Sequence, residues 1–311
     1  MAQDEAVLPD DALLAEYAIP PRQRFNPLRW ARREPFGALG AVLIAIVVFG
    51  AVFAPVLNTV DPKGFGPDSL ESPSSDHFFG TTARGKDVYS RVLYGGRISL
   101  KIGLATVLLG TVAGTALALL SAYAGGVVDF AVGRLADMII AIPGILLALT
   151  LRTSIGGDLP DLPGLSQGEL TLVLAISIFF MPGTYRIMRG LVLEQRESQY
   201  VESARVVGAS NIRIMWRHIA PNMAGLMIVV TSISLPAAIL TESSLSFLGV
   251  GVPVGTPSWG ADLSGSSRQF FIQAPWLAIF PGLALSITVF GFNIFGDALR
   301  DSLDPRLRGR I

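Results

Sequence analysis

Residues 200–222, YVESARVVGASNIRIMWRHIAPN, form a polar island between two long apolar runs. Glu202 to Val207 suits a helix that stops at Gly208, because glycine accepts the left-handed backbone at which helices commonly end. A second short helix follows through Trp216. Within it Ile212, Met215 and Trp216 fall at i, i+3 and i+4, which gathers them on one apolar face flanked by Arg213 and Arg217. A helix–glycine–helix of this kind has two readings. Its apolar face either rests among lipid headgroups, as basic amphipathic helices do, or fills a groove on a partner protein.

The runs on either side belong to an all-α membrane chain. Of 311 residues, 51% are hydrophobic and 15% charged, against about 25% charged in ordinary soluble domains. Six stretches are long enough to cross a bilayer: about Phe36–Leu57, Arg97–Tyr123, Phe130–Leu151, Leu170–Met188, Met223–Leu248 and Trp276–Phe295. Residues 1–35 form a polar N-terminal tail and 36–57 the first span. Residues 58–96 form an outer loop carrying an interfacial helix. Residues 97–299 form a five-helix core that includes the loop 189–222, and 300–311 a C-terminal tail. The run from Phe36 is too long for a signal peptide and reads as a retained helix.

Arginine placement sets the expected orientation. With both termini and the 189–222 loop on the cytoplasmic side, fifteen of the 24 basic residues lie inside, as the positive-inside rule requires. Lys63, Arg84, Lys86 and Arg91 in the first outer loop run against that pattern. A net charge of zero gives no bulk field for nucleic acid. The chain has no cysteine, and its two histidines, His77 and His218, lie far apart and are expected to form no ligand cluster.

Within the spans, Pro143, Pro182, Pro236 and Pro281 are expected to shape their helices, either as ordinary bends or as hinges. Gly110 and Gly114 allow a close helix approach. Arg134 and Asp137, three apart, are placed to pair with each other. Glu242 either lines a pathway or bonds at a helix end. Residues 80–87, GTTARGKD, satisfy GxxxxGK but end in Asp87, where a phosphate-binding loop needs Ser or Thr for magnesium. That segment reads instead as an amphipathic helix with Val88, Val92 and Leu93 turned to lipid or protein.

The 200–222 segment resembles the EAA loop of ABC-importer permeases. Glu202, Ala204, Gly208 and Pro221 stand at the matching spacing, while Ser203 replaces the second motif position and Ala220 a usual leucine. His218-Ile219 with Pro221-Asn222 is similar to the peptide and nickel importer variant. FGTTARGKDVYSRVLYGGRISL (79–100), ESSLSFLGVGVPVGTPSWGADL (242–263) and GDALRDSLDPRLR (296–308) resemble further stretches of the dipeptide and oligopeptide "C"-type permeases. Together these cover the chain from about Phe36 onward.

The resemblance implies a type I ABC importer permease fold in a bacterial or archaeal cytoplasmic membrane. It implies a transport subunit without catalytic or metal site, moving di- or oligopeptides, with nickel chelates or oligosaccharides as the alternative cargo. The implied partners are a second homologous permease, two cytoplasmic ATPases or one fused ATPase, and an extracytoplasmic binding protein that could touch Gly249–Ala261. ATP and magnesium would be bound by the ATPases, and no cofactor by this chain. Glu202, Ala204, Gly208, Ala209, Ser210, Ile212, Arg213, Met215, Trp216 and Pro221 would then form the coupling element. An ATP-independent transporter would need inverted repeats or a path of paired charges, and a membrane enzyme a motif such as HExxH. Neither signature is evident.

Overall fold

A computed structural model describes residues 27–58, 60–155 and 159–303. Most of the two tails, including Asp4, Glu5, Asp10, Asp11, Arg22 and Arg24, lies outside the described residues. The described chain is helical, with α1 at Pro27–Arg33, α2 at Pro35–Val52, α3 at Ala54–Leu57, α4 at Val88–Ala124, α5 at Gly126–Ala141 and α6 at Gly144–Ile155. It continues with α7 at Gln167–Arg196, α8 at Gln199–Val206, α9 at Asn211–Arg213, a π-helical turn at Ile214–Ile219 and α10 at Ala220–Phe247. Two short helices, α11 at Trp259–Leu263 and α12 at Ser266–Gln269, precede α13 at Trp276–Leu303. Two isolated β-bridges are the only extended pairings among the described residues.

Five helices are long and apolar enough to cross a membrane, and α5 with α6 makes a sixth span if the bent pair counts as one. The chain is therefore a multi-pass membrane protein. The third span differs from the continuous helix expected: α5 and α6 meet at 98° around Pro143. Ile142 is extended at φ −84°, ψ 129°, as the ring of a following proline requires. Beyond it Gly144 presses on Phe179, where a Cβ would lie 2.2 Å from the ring. Pro182, Pro236 and Pro281 by contrast sit inside unbroken helices.

Helix α4 is the axis of the bundle. The expected interfacial helix is no separate element; it is the first two turns of α4, started by Asp87, whose carboxylate accepts from the Ser90 amide at 2.7 Å. Val88 is buried against Ala274 and Leu277, so that face turns to protein. Farther along, small residues bring neighbours to backbone distance. A Cβ on Gly103 would meet Ile239 at 2.7 Å, and one on Gly114 would meet the Met181 carbonyl at 2.7 Å. The Gly110/Gly114 pair thus seats α4 on α7. Gly40 does the same for α2 against α13, its absent Cβ lying 2.7 Å from the Gly291 carbonyl.

At one end of the bundle the chain folds back over α4 and α10. Trp259 is buried on Gly95 and Gly96 and donates its indole N–H to the Val92 carbonyl at 3.0 Å. Arg91, counted above among the outer-loop cations, is buried and paired with Asp262. Burial pushes the Asp262 carboxyl upward while the adjoining guanidinium pulls it down. Of Gly249–Ala261, residues Pro253 to Gly255 form the exposed tip, and Pro257 to Gly260 are buried.

Candidate functional site: the 197–222 loop

Helix α7 continues to Arg196, well past the expected end of the fourth span at Met188. Helix α8 then doubles back. It ends in a Schellman motif: the Gly208 amide donates to the Arg205 carbonyl at 2.9 Å, and the Ala209 amide to the Ala204 carbonyl at 3.0 Å. Gly208 carries φ +81°, and nothing lies within 4 Å of where its Cβ would stand. Backbone conformation, not space, demands glycine there. Ser210 restarts the chain as N-cap of α9, its hydroxyl accepting from the Arg213 amide at 3.4 Å.

From Ile214 the backbone takes wider π turns that run directly into α10, with Pro221 in its first turn. The wider turns change which side chains face inward. Ile214 and Ile219 are fully buried, joining Val201, Ala204 and Met223 against Ala118, Leu119, Tyr123, Tyr185, Met188 and Val192. The loop is thus packed onto the ends of α4 and α7. Tyr123 and Asn211 are hydrogen bonded at 3.0 Å across that seam.

The outer surface is unlike the inner one. Ile212 is 68% exposed and Trp216 62%, and Val206 and Val207 are 82% and 83% exposed. Glu202, Gly208, Ser210, Arg213 and Arg217 share this surface. Met215, expected beside Ile212 and Trp216, is half-buried against the core instead. The i, i+3, i+4 rule assumes 3.6 residues per turn, and a π turn breaks that register. An open depression of about 540 Å³, lined by Tyr200, Ser203, Ala204, Val207, Ala209, Arg213, Arg217 and His218, runs beside it. Val206 and Val207 were missed in the sequence because they fall in the last helical turn before Gly208, where no periodic pattern extends.

The remaining polar candidates lie away from the loop's outer face. The Arg134–Asp137 contact exists at 3.8 Å, but Arg186 of α7 holds Asp137 at 2.5 Å. Together with the two-pronged Arg189–Asp129 pair at 2.7 and 2.5 Å, this clasps α5 to α7. Glu242 lies near the opposite end of α10. It is fully buried, accepts from Ser246 at 2.8 Å and Ser243 at 3.2 Å, and has Ser99 and Ser258 beside it. Lys101 reaches Glu169 at 2.7 Å at the start of α7.

The molecule is thus a helical multi-pass bundle carrying, between two long spans, a loop packed on its inner side and apolar and basic on its outer side. The family model described as binding-protein-dependent transport system inner membrane component matches residues 110–309. A dipeptide transport system permease protein DppC of Alkalihalophilus pseudofirmus is 35% identical over 96% of this chain and 94% of its own length. A glutathione transport system permease protein GsiD of Pectobacterium atrosepticum is 38% identical over 90% of each chain. GsiD of Escherichia coli is 37% identical over 89% of each. The chain belongs to the binding-protein-dependent transport system inner membrane component family: it is a permease subunit of an ABC importer with the type I permease fold.

Proposed function

We propose that this permease forms half of the path by which small peptides enter the cell, and that residues 199–217 are where cytoplasmic ATPases act on it. The observation that carries the second part is the pairing of a fully packed inner face with an exposed apolar and basic outer face on one short loop. A solvated loop would not leave Ile212 and Trp216 outward beside Arg213 and Arg217. Peptide cargo is supported by relatives whose substrates, a dipeptide and glutathione, are both short peptides.

In this reading the ATPases bind ATP and magnesium, and their closure pushes on Ile212 and Trp216. A second homologous permease completes the pathway, and a binding protein delivers peptide at the outer face. On the same reading the termini and the loop are cytoplasmic, which the arginine distribution supports. Contacts made differently in two bundle states are what let nucleotide shift the balance between them.

The test is co-purification of the tagged, full-length permease from mild detergent, with wild type compared with Ile212→Asp/Trp216→Asp. Wild type is expected to retain ATPases and a second permease, with hydrolysis stimulated by binding protein and peptide. The variant is expected to keep the second permease and lose the ATPases. Undiminished ATPase recovery would assign that face to lipid headgroups instead, and peptide flux insensitive to ATP removal would discard the importer reading of cargo and drive.

A further inference from the structure

His77 has carboxylates on both sides. Its Nδ1 lies 3.0 Å from the carboxylate of Asp87, which is itself buried and fixed by capping α4. That contact turns Nε2 the other way, to within 4.0 Å of the Glu71 carboxylate. One ligand atom each from Asp68, Glu71 and His77 lie within 4.8 Å of one another. Four ångströms is too long for a hydrogen bond, and two ligands at about 2.0–2.2 Å from one tetrahedral ion stand about 3.5 Å apart, so the exposed Asp68 and half-buried Glu71 side chains reach a shared ion by swinging inward.

The backbone holds these groups together independently of their side chains. Thr81 donates its hydroxyl to the Asp68 carbonyl at 2.6 Å, accepts from the Glu71 amide at 2.8 Å and donates its own amide to the Glu71 carbonyl at 2.9 Å. The His77 carbonyl accepts from Ser74 and Gly80 at 2.9 Å. Gly80 stands at φ +72°, its absent Cβ within 3 Å of the Glu71 carbonyl and the Trp276 ring. The Trp276 indole donates to the Thr81 carbonyl at 3.2 Å and ties the whole turn to α13.

We propose that Asp68, Glu71 and His77 bind one divalent cation of the borderline class, with zinc as its representative. One imidazole and two carboxylates suit zinc, and an Asp–His contact behind the ligand nitrogen is the second-shell arrangement that orients metal-bound histidines. Three protein ligands leave the fourth position to water. The ion would staple residues 68–77 into one body ahead of α4, on the surface opposite the 199–217 loop. The site depends on neither the cargo nor the ATPase reading.

The experiment uses tag-free, chelator-stripped full-length protein in lipid nanodiscs, titrated calorimetrically with zinc alone. Wild type is expected to bind one zinc per chain. Asp68→Asn/Glu71→Gln, which leaves His77 and Asp87 in place, is expected to bind at least about tenfold more weakly. Absence of a stoichiometric site in wild type, or unchanged affinity in the variant, would overturn the proposal. Zinc-edge X-ray absorption on wild type gives a reading independent of how well the variant folds. A shell of one imidazole nitrogen plus carboxylate oxygens supports the site, and an all-oxygen shell refutes it.

Discussion

At the scale of single residues, Gly208 and Glu242 separate two kinds of requirement. Gly208 has open space around it and a left-handed backbone, so only conformation is at stake. Gly208→Val should cost about 1–3 kcal/mol at that turn and cut peptide-stimulated ATPase activity of the assembled importer several-fold. Gly208→Asn should retain most of it, because Asn tolerates that region. Equal loss in both would point to crowding, against the geometry. Glu242 is the reverse case, with no backbone peculiarity and serine hydroxyls packed around its carboxylate. Glu242→Leu leaves those hydroxyls without their acceptor and should lower stability by about 1–3 kcal/mol, with Glu242→Gln affected less. Thermal melts in detergent decide it.

Among elements, the helix–helix seams are set by missing atoms. Gly114→Leu places a side chain where the Met181 carbonyl sits 2.7 Å from the Cβ position, forcing α4 from α7 at a cost of about 1–3 kcal/mol. Gly183→Leu, on α7 with nothing within 4 Å, should leave the melting temperature unchanged or raise it. The GxxxG at 110–114 was legible as a packing signal because small residues at that spacing have one strong physical use. Helix ends were less legible. Apolar content marks where lipid begins, while α7 runs on to Arg196 through a mixed stretch whose Leu191, Val192 and Leu193 pack with the loop. The break at Pro143 was readable as a proline; its 98° angle was not, since the angle is fixed by where Gly144 meets Phe179. Within the loop, Gly208 and the exposed Ile212 and Trp216 followed from pattern, whereas Met215 did not, because no local signal announces a π turn.

For the molecule as a whole, long-range pairs escape any reading of local pattern. Arg91 and Asp262 are 171 positions apart, and each is nearly enclosed once paired. Asp262→Asn leaves the guanidinium buried without its counter-charge, which should cost on the order of 3 kcal/mol. The expected readout is faster proteolytic cleavage within residues 249–265 and an earlier thermal melt. Unchanged cleavage would mean that Trp259 alone seats this segment.

The buried side of the 199–217 loop has a mechanical corollary. Ile214, Ile219 and Val201 are locked among Tyr185, Met188 and Val192 without exposed area, and close-packed interiors transmit strain rather than absorb it. On the proposed reading, Trp216 is the free end of a crank whose other end is welded to the shafts α4 and α7. Torque applied there by a docked ATPase would meet no slack and would turn the bundle.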